Sequence, residues 1–323
     1  MINKALLLTV CAALVALLPA APSLAQQPES DEVVKVNTDL VVLDAQVINK
    51  KTGQPVADLK REDFELYEDG IKQEIRYFSR DELPLSIMLL LDVSGSVRPI
   101  IEQIGEGALN ALQRLKPQDE VAVMAFATRA ELVQDFTRDR KLIAEKIRAA
   151  SKLDYIGNGT YLSEALFEAA VHMPVAANPS SRRVVIVVTD NIAPLGDKET
   201  VQRTMTELFE SGSVVYGLIV RAALGKLANV LTFGLIRGVK TFSEQTGGEI
   251  INADKKEVDD KLSEMVSHLR TRYSLGYIPS NTKEDDRLRR LQLKLTPAAL
   301  GRKGKVKMAV TTRQGYYFRR RKA

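Results

Sequence analysis

From residue 33 to residue 80 apolar and polar residues alternate, in VVKVNTDLVVLDAQVIN, FELYEDG and IKQEIRYFS. Successive side chains of a strand point to opposite faces, so this period of two predicts strands with one covered face. Lys51-Thr52-Gly53-Gln54-Pro55 and Glu68-Asp69-Gly70 supply the turns between them. Between about 84 and 272 the rhythm changes. Near-continuous apolar runs (LSIMLLLD, EVAVMAFA, RRVVIVVTD, SVVYGLIV, EIINA) now alternate with helical patterns (IIEQIGEGALNALQRL, RKLIAEKIRAASKL, YLSEALFEAAVHM, ETVQRTMTELFES, KKEVDDKLSEMVSHLRTR). Strands that are apolar on both faces need cover on both, and amphipathic helices provide it. The expected unit is α/β, a doubly wound and mostly parallel sheet. After Tyr273 the strand pattern returns in YSLGYIPS, LRRLQLKLTP, KVKMAVTT and GYYF.

Two β-rich segments, 33–80 and 273–318, thus flank one α/β unit at 84–272. Neither flank has material for a large core by itself. They are expected to pair into one small β-rich domain with the α/β unit inserted between them; two separate appendages are the alternative. The chain shows no internal repeat and no low-complexity segment.

Composition adds a compartment. Lys4 precedes the apolar stretch ALLLTVCAALVALLPAA, and Ser23-Leu24-Ala25 places small residues where a leader is cut, so residues 1–25 read as a secretory signal peptide, with an uncleaved anchor as the alternative. Cys11, within that stretch, is the only cysteine. The exported chain would therefore fold without disulfides, which suits a bacterial periplasm or exterior, and thiolate metal sites and thiol catalysis are excluded. The net charge of +5 is spread along the chain except for the tail Arg319-Arg320-Arg321-Lys322 within 319–323. Such a tail could touch an anionic membrane surface, but it reads as a solvated terminus, and no nucleic-acid partner is expected.

The candidate chemistry follows from where the strands end. In an open parallel sheet, ligands bind beyond the carboxyl ends of the strands. Asp92 closes LSIMLLLD, Asp190 closes RRVVIVVTD, and Ser94 and Ser96 follow Asp92 at alternate positions, with Gly95 expected to ease the bend. Gly157-Asn158-Gly159-Thr160 brings another hydroxyl just before a helix. Two carboxylates and three hydroxyls make an all-oxygen set suited to a hard divalent cation, Mg²⁺ first, which keeps waters and an open position for one more anionic oxygen. Helix capping by Asp92 explains at most one of these residues. Enzyme signatures are lacking. The two histidines, His172 and His268, fall within helical patterns, and the strained GxSxG elbow, HExxH and GxxxxGK are absent. No catalytic residue is assigned, and a Mg²⁺-dependent hydrolase acting on a phosphate or acyl substrate is the alternative to a binding protein.

Asp92-Val93-Ser94-Gly95-Ser96, followed in order by Thr160 and Asp190, resembles the metal-ion-dependent adhesion site (MIDAS) of von Willebrand factor type A (VWA) domains. The resemblance spans about 84–272, and the flanks are similar to those of bacterial exported "VWFA-related" proteins. It implies that Ser94 and Ser96 coordinate the ion directly, that Thr160 joins in one conformational state, and that Asp92 and Asp190 act directly or through water. It also implies Mg²⁺, or Mn²⁺ or Ca²⁺, as the cofactor and a protein partner presenting Asp or Glu, in adhesion or in envelope assembly. The family commonly has glycine after the second aspartate, where this chain has Asn191. Asparagine tolerates a left-handed backbone better than most residues, so the loop is expected to keep its place with an altered shape.

Overall fold

The computed structural model describes residues 40–80, 83–97, 101, 111–190, 196–220, 238–304 and 306–318. The signal segment 1–25, the basic tail 319–323, Asn191 and most of the helix expected over 100–115 lie outside the described residues.

Strands β1 (Val41–Asn49), β2 (Phe64–Glu68), β3 (Ile71–Gln73) and β4 (Tyr77–Ser79) come from the first alternating segment. The α/β unit follows with β5 (Leu85–Asp92), β6 (Glu120–Phe126), β7 (Ala130–Thr137), β8 (Arg182–Thr189), β9 (Val214–Val220) and β10 (Ile250–Ala253). Its sheet runs β10-β9-β8-β5-β6-β7. All neighbours are parallel except β6 and β7. Every residue of β5 is buried. Ile87, Leu89 and Leu91 pack on one face with Ile143 and Ile147 of the helix Arg140–Ala150 and with Leu262 and Met265 of the helix Val258–Arg270. Met88 and Leu90 pack on the other with Leu166, Leu208 and Phe242, from the helices Leu162–His172, Lys198–Ser211 and Gly238–Thr246. Both faces are covered, as the unbroken apolar runs require.

Two elements of this unit escape the sequence pattern. β7 has no clean alternation, because it is an antiparallel edge strand with half-buried and exposed residues along its length. The helix Gly238–Thr246 is only nine residues long and mixes polar residues with Val239 and Phe242.

The last strands, β11 (Tyr273–Tyr277), β12 (Leu288–Leu295), β13 (Met308–Thr312) and β14 (Gly315–Tyr317), do not form a sheet of their own. They join the first four in two sheets, β13-β1-β11-β4 and β14-β12-β2-β3. One half of β1 pairs with β11, from Val41 opposite Tyr277 to Ala45 opposite Tyr273, and the other half with β13. β2 pairs with β12, Leu66 lying opposite Leu293. Leu43, Val47, Phe64, Leu66, Tyr273 and Leu293 meet between the sheets in one core. The terminal segments thus build a small β-sandwich. A short helix, Pro297–Arg302, links β12 to β13 and was not foreseen; Thr296 caps it, its hydroxyl accepting from the Ala299 N–H at 3.2 Å.

The sandwich is joined to the α/β unit at the amino-terminal ends of the parallel strands. Arg182 opens β8, is buried, and donates to Asp44 at 2.9 Å and to the Leu269 carbonyl at 2.6 Å. Arg272, also buried, donates to the Tyr216 hydroxyl at 2.6 Å and the Gly247 carbonyl at 2.9 Å. Burial raises the Asp44 carboxyl, and the charges of Arg182 and Arg272 together with hydrogen bonds from Arg182 and Ser274 more than offset this, holding it below the usual carboxylate range. Gly247 has φ +83°, and a Cβ there would stand 2.4 Å from the Thr312 carbonyl carbon, so only glycine lets this turn touch β13. The carboxyl ends of the strands are left to the loops.

Candidate metal centre

The strand order reverses at β5: β6 and β7 extend to one side, β8, β9 and β10 to the other. Crevices at such switch points receive ligands because the loops diverge there. Asp92 is the last residue of β5, and Asp190 directly follows β8, its parallel neighbour, with Leu91 paired to Val188. The two carboxylates therefore leave adjacent strands at one edge, close enough for the charge of Asp190 to act on Asp92.

Asp92 is 1% exposed. Its Oδ1 accepts the Ser94 N–H at 2.9 Å and its Oδ2 accepts the Thr189 hydroxyl at 2.6 Å. Burial pushes its carboxyl up to about 6; those hydrogen bonds oppose the shift, and the Asp190 charge adds to it. The first bond closes a tight turn that returns Ser96 toward Ser94, their hydroxyl oxygens 3.4 Å apart. Ser94 is buried and Ser96 exposed, so the pair leads from the floor of the site to its mouth. Gly95 does not act as expected. It has no positive φ, and a Cβ at this position would meet nothing, so the bend does not require glycine.

Thr160 lies on a loop stapled to the end of β6. The Val93 N–H donates to the Phe126 carbonyl at 2.9 Å, and the Tyr161 N–H to the adjacent Ala127 carbonyl at 2.9 Å. The turn after Asp92 and the residue after Thr160 thus hang from neighbouring peptides. Thr128 completes the staple: its N–H donates to Ile156 O at 3.1 Å, and its hydroxyl accepts the Gly159 N–H at 3.2 Å. Gly157, at φ +96°, is needed here, because a Cβ would come within 2.3 Å of that hydroxyl.

Direct bonds thus join Asp92, Ser94 and Ser96, Asp190 follows the adjacent strand, and Thr160 lies on a loop tethered to the residues after β6. Sequence reasoning missed Thr189 and Thr128. Thr189 sits beside Asp190 in the run VVTD and could have been suspected; Thr128 carries no signal outside the fold.

An ion fits this donor set. Among the described residues no three carboxylate, imidazole or thiolate groups converge, so hydroxyls and water would complete any coordination. A cation would also offset the burial of the Asp92 charge and its repulsion by Asp190. The histidines are engaged elsewhere: His172 Nε2 lies 2.8 Å from Asp135, and His268 Nδ1 lies 2.7 Å from Glu249.

Among solved structures, an aerotolerance-related membrane protein from Bacteroides fragilis is 17% identical, with 57% of this chain and 98% of that one covered at a TM-score of 0.45. A von Willebrand factor type A protein from Catenulispora acidiphila is 11% identical over 85% of this chain and 73% of its own, at a TM-score of 0.46. Proximal thread matrix protein 1 from the mussel byssus, with a zinc-occupied MIDAS motif, is 13% identical over 58% and 48%, at 0.45. No curated protein matches the chain. The family comparison covers the segment from the middle of β5 to just beyond Asp190, which holds Asp92, Ser94, Ser96, Thr160 and Asp190. Residues 87–193 of this chain match the family model of the von Willebrand factor type A domain.

Proposed function

We propose that this is an exported protein whose VWA domain binds a protein partner through a divalent cation, without turnover. Asp92, Ser94, Ser96, Thr160 and Asp190 would hold Mg²⁺, or Mn²⁺ or Ca²⁺, and the bound ion would supply an electrophilic position for an Asp or Glu of the partner. The observation that carries this reading is the Asp92 carboxylate, buried at the switch point beside a second carboxylate and two serine hydroxyls. Export, to the periplasm or the cell exterior, rests on the leader-like segment 1–25. Among the described residues no helix is long and apolar enough to cross a membrane. Adhesion to a foreign surface and assembly of the cell's own envelope are both served by the same site.

Calorimetric titration with Mg²⁺ or Mn²⁺ tests the site, and one ion is expected to bind per chain. Absence of binding by either ion rejects it. A pull-down from native envelope extract, with Mg²⁺ and then with EDTA, tests the function; a partner retained equally in both places the interface elsewhere. Thr189 should matter without touching the ion, since its hydroxyl orients the Asp92 carboxylate. Partners of this outer kind set metal affinity, so Thr189→Val is expected to weaken Mn²⁺ binding about 10- to 100-fold with the fold intact. An unchanged isotherm would remove Thr189 from the site.

A further inference from the structure

We propose that the rim formed by Arg129, Tyr155 and Tyr161 selects the partner, and that the partner segment is an acidic one carrying a second carboxylate for Arg129 and an apolar side chain for Tyr161. The inference rests on the metal reading and adds the chemistry around the captured Asp or Glu.

Tyr155 and Tyr161 bracket the loop that ends at Thr160, and they are 56% and 50% exposed. Large apolar rings left open beside a candidate ligand site contrast with the burial of Tyr216, Tyr273 and Tyr277 elsewhere in the chain. The Tyr161 ring lies across the loop, its Cε2 3.0 Å from where a Gly159 Cβ would stand, and so forms a wall next to Thr160. On the Tyr155 side the guanidinium of Arg129, an exposed residue, lies 5.6 Å from the ring centroid, with Nη2 3.4 Å from the Tyr155 carbonyl. The guanidinium's partner in each of these contacts is neutral. The carboxylate of Glu131 on β7 is engaged by the Tyr155 hydroxyl, and Asp154 is exposed one residue away from it. Arg129 sits at the carbonyl end of Tyr155 and Glu131 at its hydroxyl end, so an acidic segment is drawn to the guanidinium and Tyr161 and away from the hydroxyl end.

The rim is built to stay in place. Thr128, beside Arg129, ties down Gly159 and Ile156, and the Tyr161 N–H is tied to Ala127. Tyrosine and arginine are enriched among the residues that carry most of the energy of protein interfaces, and a pre-ordered surface of them has little freedom to lose on binding.

The experiment uses the full mature chain and short immobilised peptides that place one Asp in a Gly-Ser background. A second residue is varied among Asp, Lys and Ser, with or without a neighbouring Leu. In Mg²⁺ the peptides with a second Asp are expected to bind about two- to five-fold better than those with Ser, the span of an exposed ion pair. Leu should add to this, and Tyr161→Ala should remove about ten-fold from the Leu peptides. Arg129→Glu should reverse the preference, favouring Lys over Asp, an outcome that loss of loop structure alone does not produce. Calorimetry with Mn²⁺ on the same variants separates the two readings. If the ion binds but no peptide is selected, or Arg129→Glu keeps the preference for Asp, the rim proposal fails and the metal site stands. If the ion does not bind, the metal reading falls and the rim proposal with it.

Discussion

Replacing Glu68 by alanine is expected to destabilise the sandwich by about 3–5 kcal/mol, the cost of leaving a buried charge without its partner. Glu68 is 2% exposed at the end of β2. It accepts the Tyr277 hydroxyl at 2.5 Å, the Tyr316 hydroxyl at 2.6 Å and Arg289 Nη1 at 3.1 Å. Tyr277 belongs to the opposite sheet, so this carboxylate bolts the two sheets together. Burial, and after it the bond to Glu68, raises both phenols above their ordinary range, so they remain donors at any physiological pH. Arg289 is fully buried, with Phe318 4.4 Å from its guanidinium carbon. Without Glu68 its charge and two hydroxyls lose their shared acceptor.

Glu68→Leu combined with Arg289→Met should recover part of the loss, because an apolar pair of similar volume avoids the desolvation of both charges while the Tyr277 and Tyr316 hydroxyls still lack their acceptor. Urea titration of the full chain followed by circular dichroism measures all three proteins. A loss below about 1 kcal/mol for Glu68→Ala would mean that water replaces the carboxylate and that the bolt is not structural.

The same residue shows what the sequence could carry. In FELYE the period of two puts Glu68 on the face of Phe64 and Leu66, and the burial pattern follows that face. Reading Glu68-Asp69-Gly70 as a turn misses this inward acid, which instead closes β2, and its partners leave no local signal, because Arg289 lies 221 positions away and Tyr277 lies 209. The parallel strands were readable for the opposite reason. Continuous Val, Ile and Leu in β5, β8 and β9 record burial on both faces without reference to any distant residue. β7 left no such record because an edge strand is constrained on one side only. At the candidate site, Asp92, Ser94, Ser96 and Asp190 stand out because carboxylates and hydroxyls end apolar strands. Thr128 does not, since its part is to hold a backbone N–H from a loop 31 positions away.

Asp92→Asn is expected to abolish metal binding while making the metal-free protein more stable at neutral pH. The Asp92 carboxyl is raised to about 6 from 3.8, chiefly by burial. A raised acid is held protonated by the folded state, so the group costs nothing below the unfolded value near 3.8. The cost grows as pH rises and is complete above about 6, where it amounts to about 3 kcal/mol. Asparagine removes the charge and can still accept the Ser94 N–H, so the variant should gain about 1–3 kcal/mol over wild type near pH 8 and nothing near pH 3.5. Mg²⁺ reverses the order. An ion bound only by the folded state adds about 2.7 kcal/mol at a concentration 100 times its dissociation constant, and only the wild type should receive it. Urea titrations of both proteins at both pH values, with EDTA and with Mg²⁺, give the four differences in stability. Equal Mg²⁺ stabilisation of the two proteins would take Asp92 out of the metal site. A variant less stable than wild type in EDTA near pH 8 would show that the carboxylate serves the fold as a hydrogen-bonded turn, with no cost left for an ion to relieve.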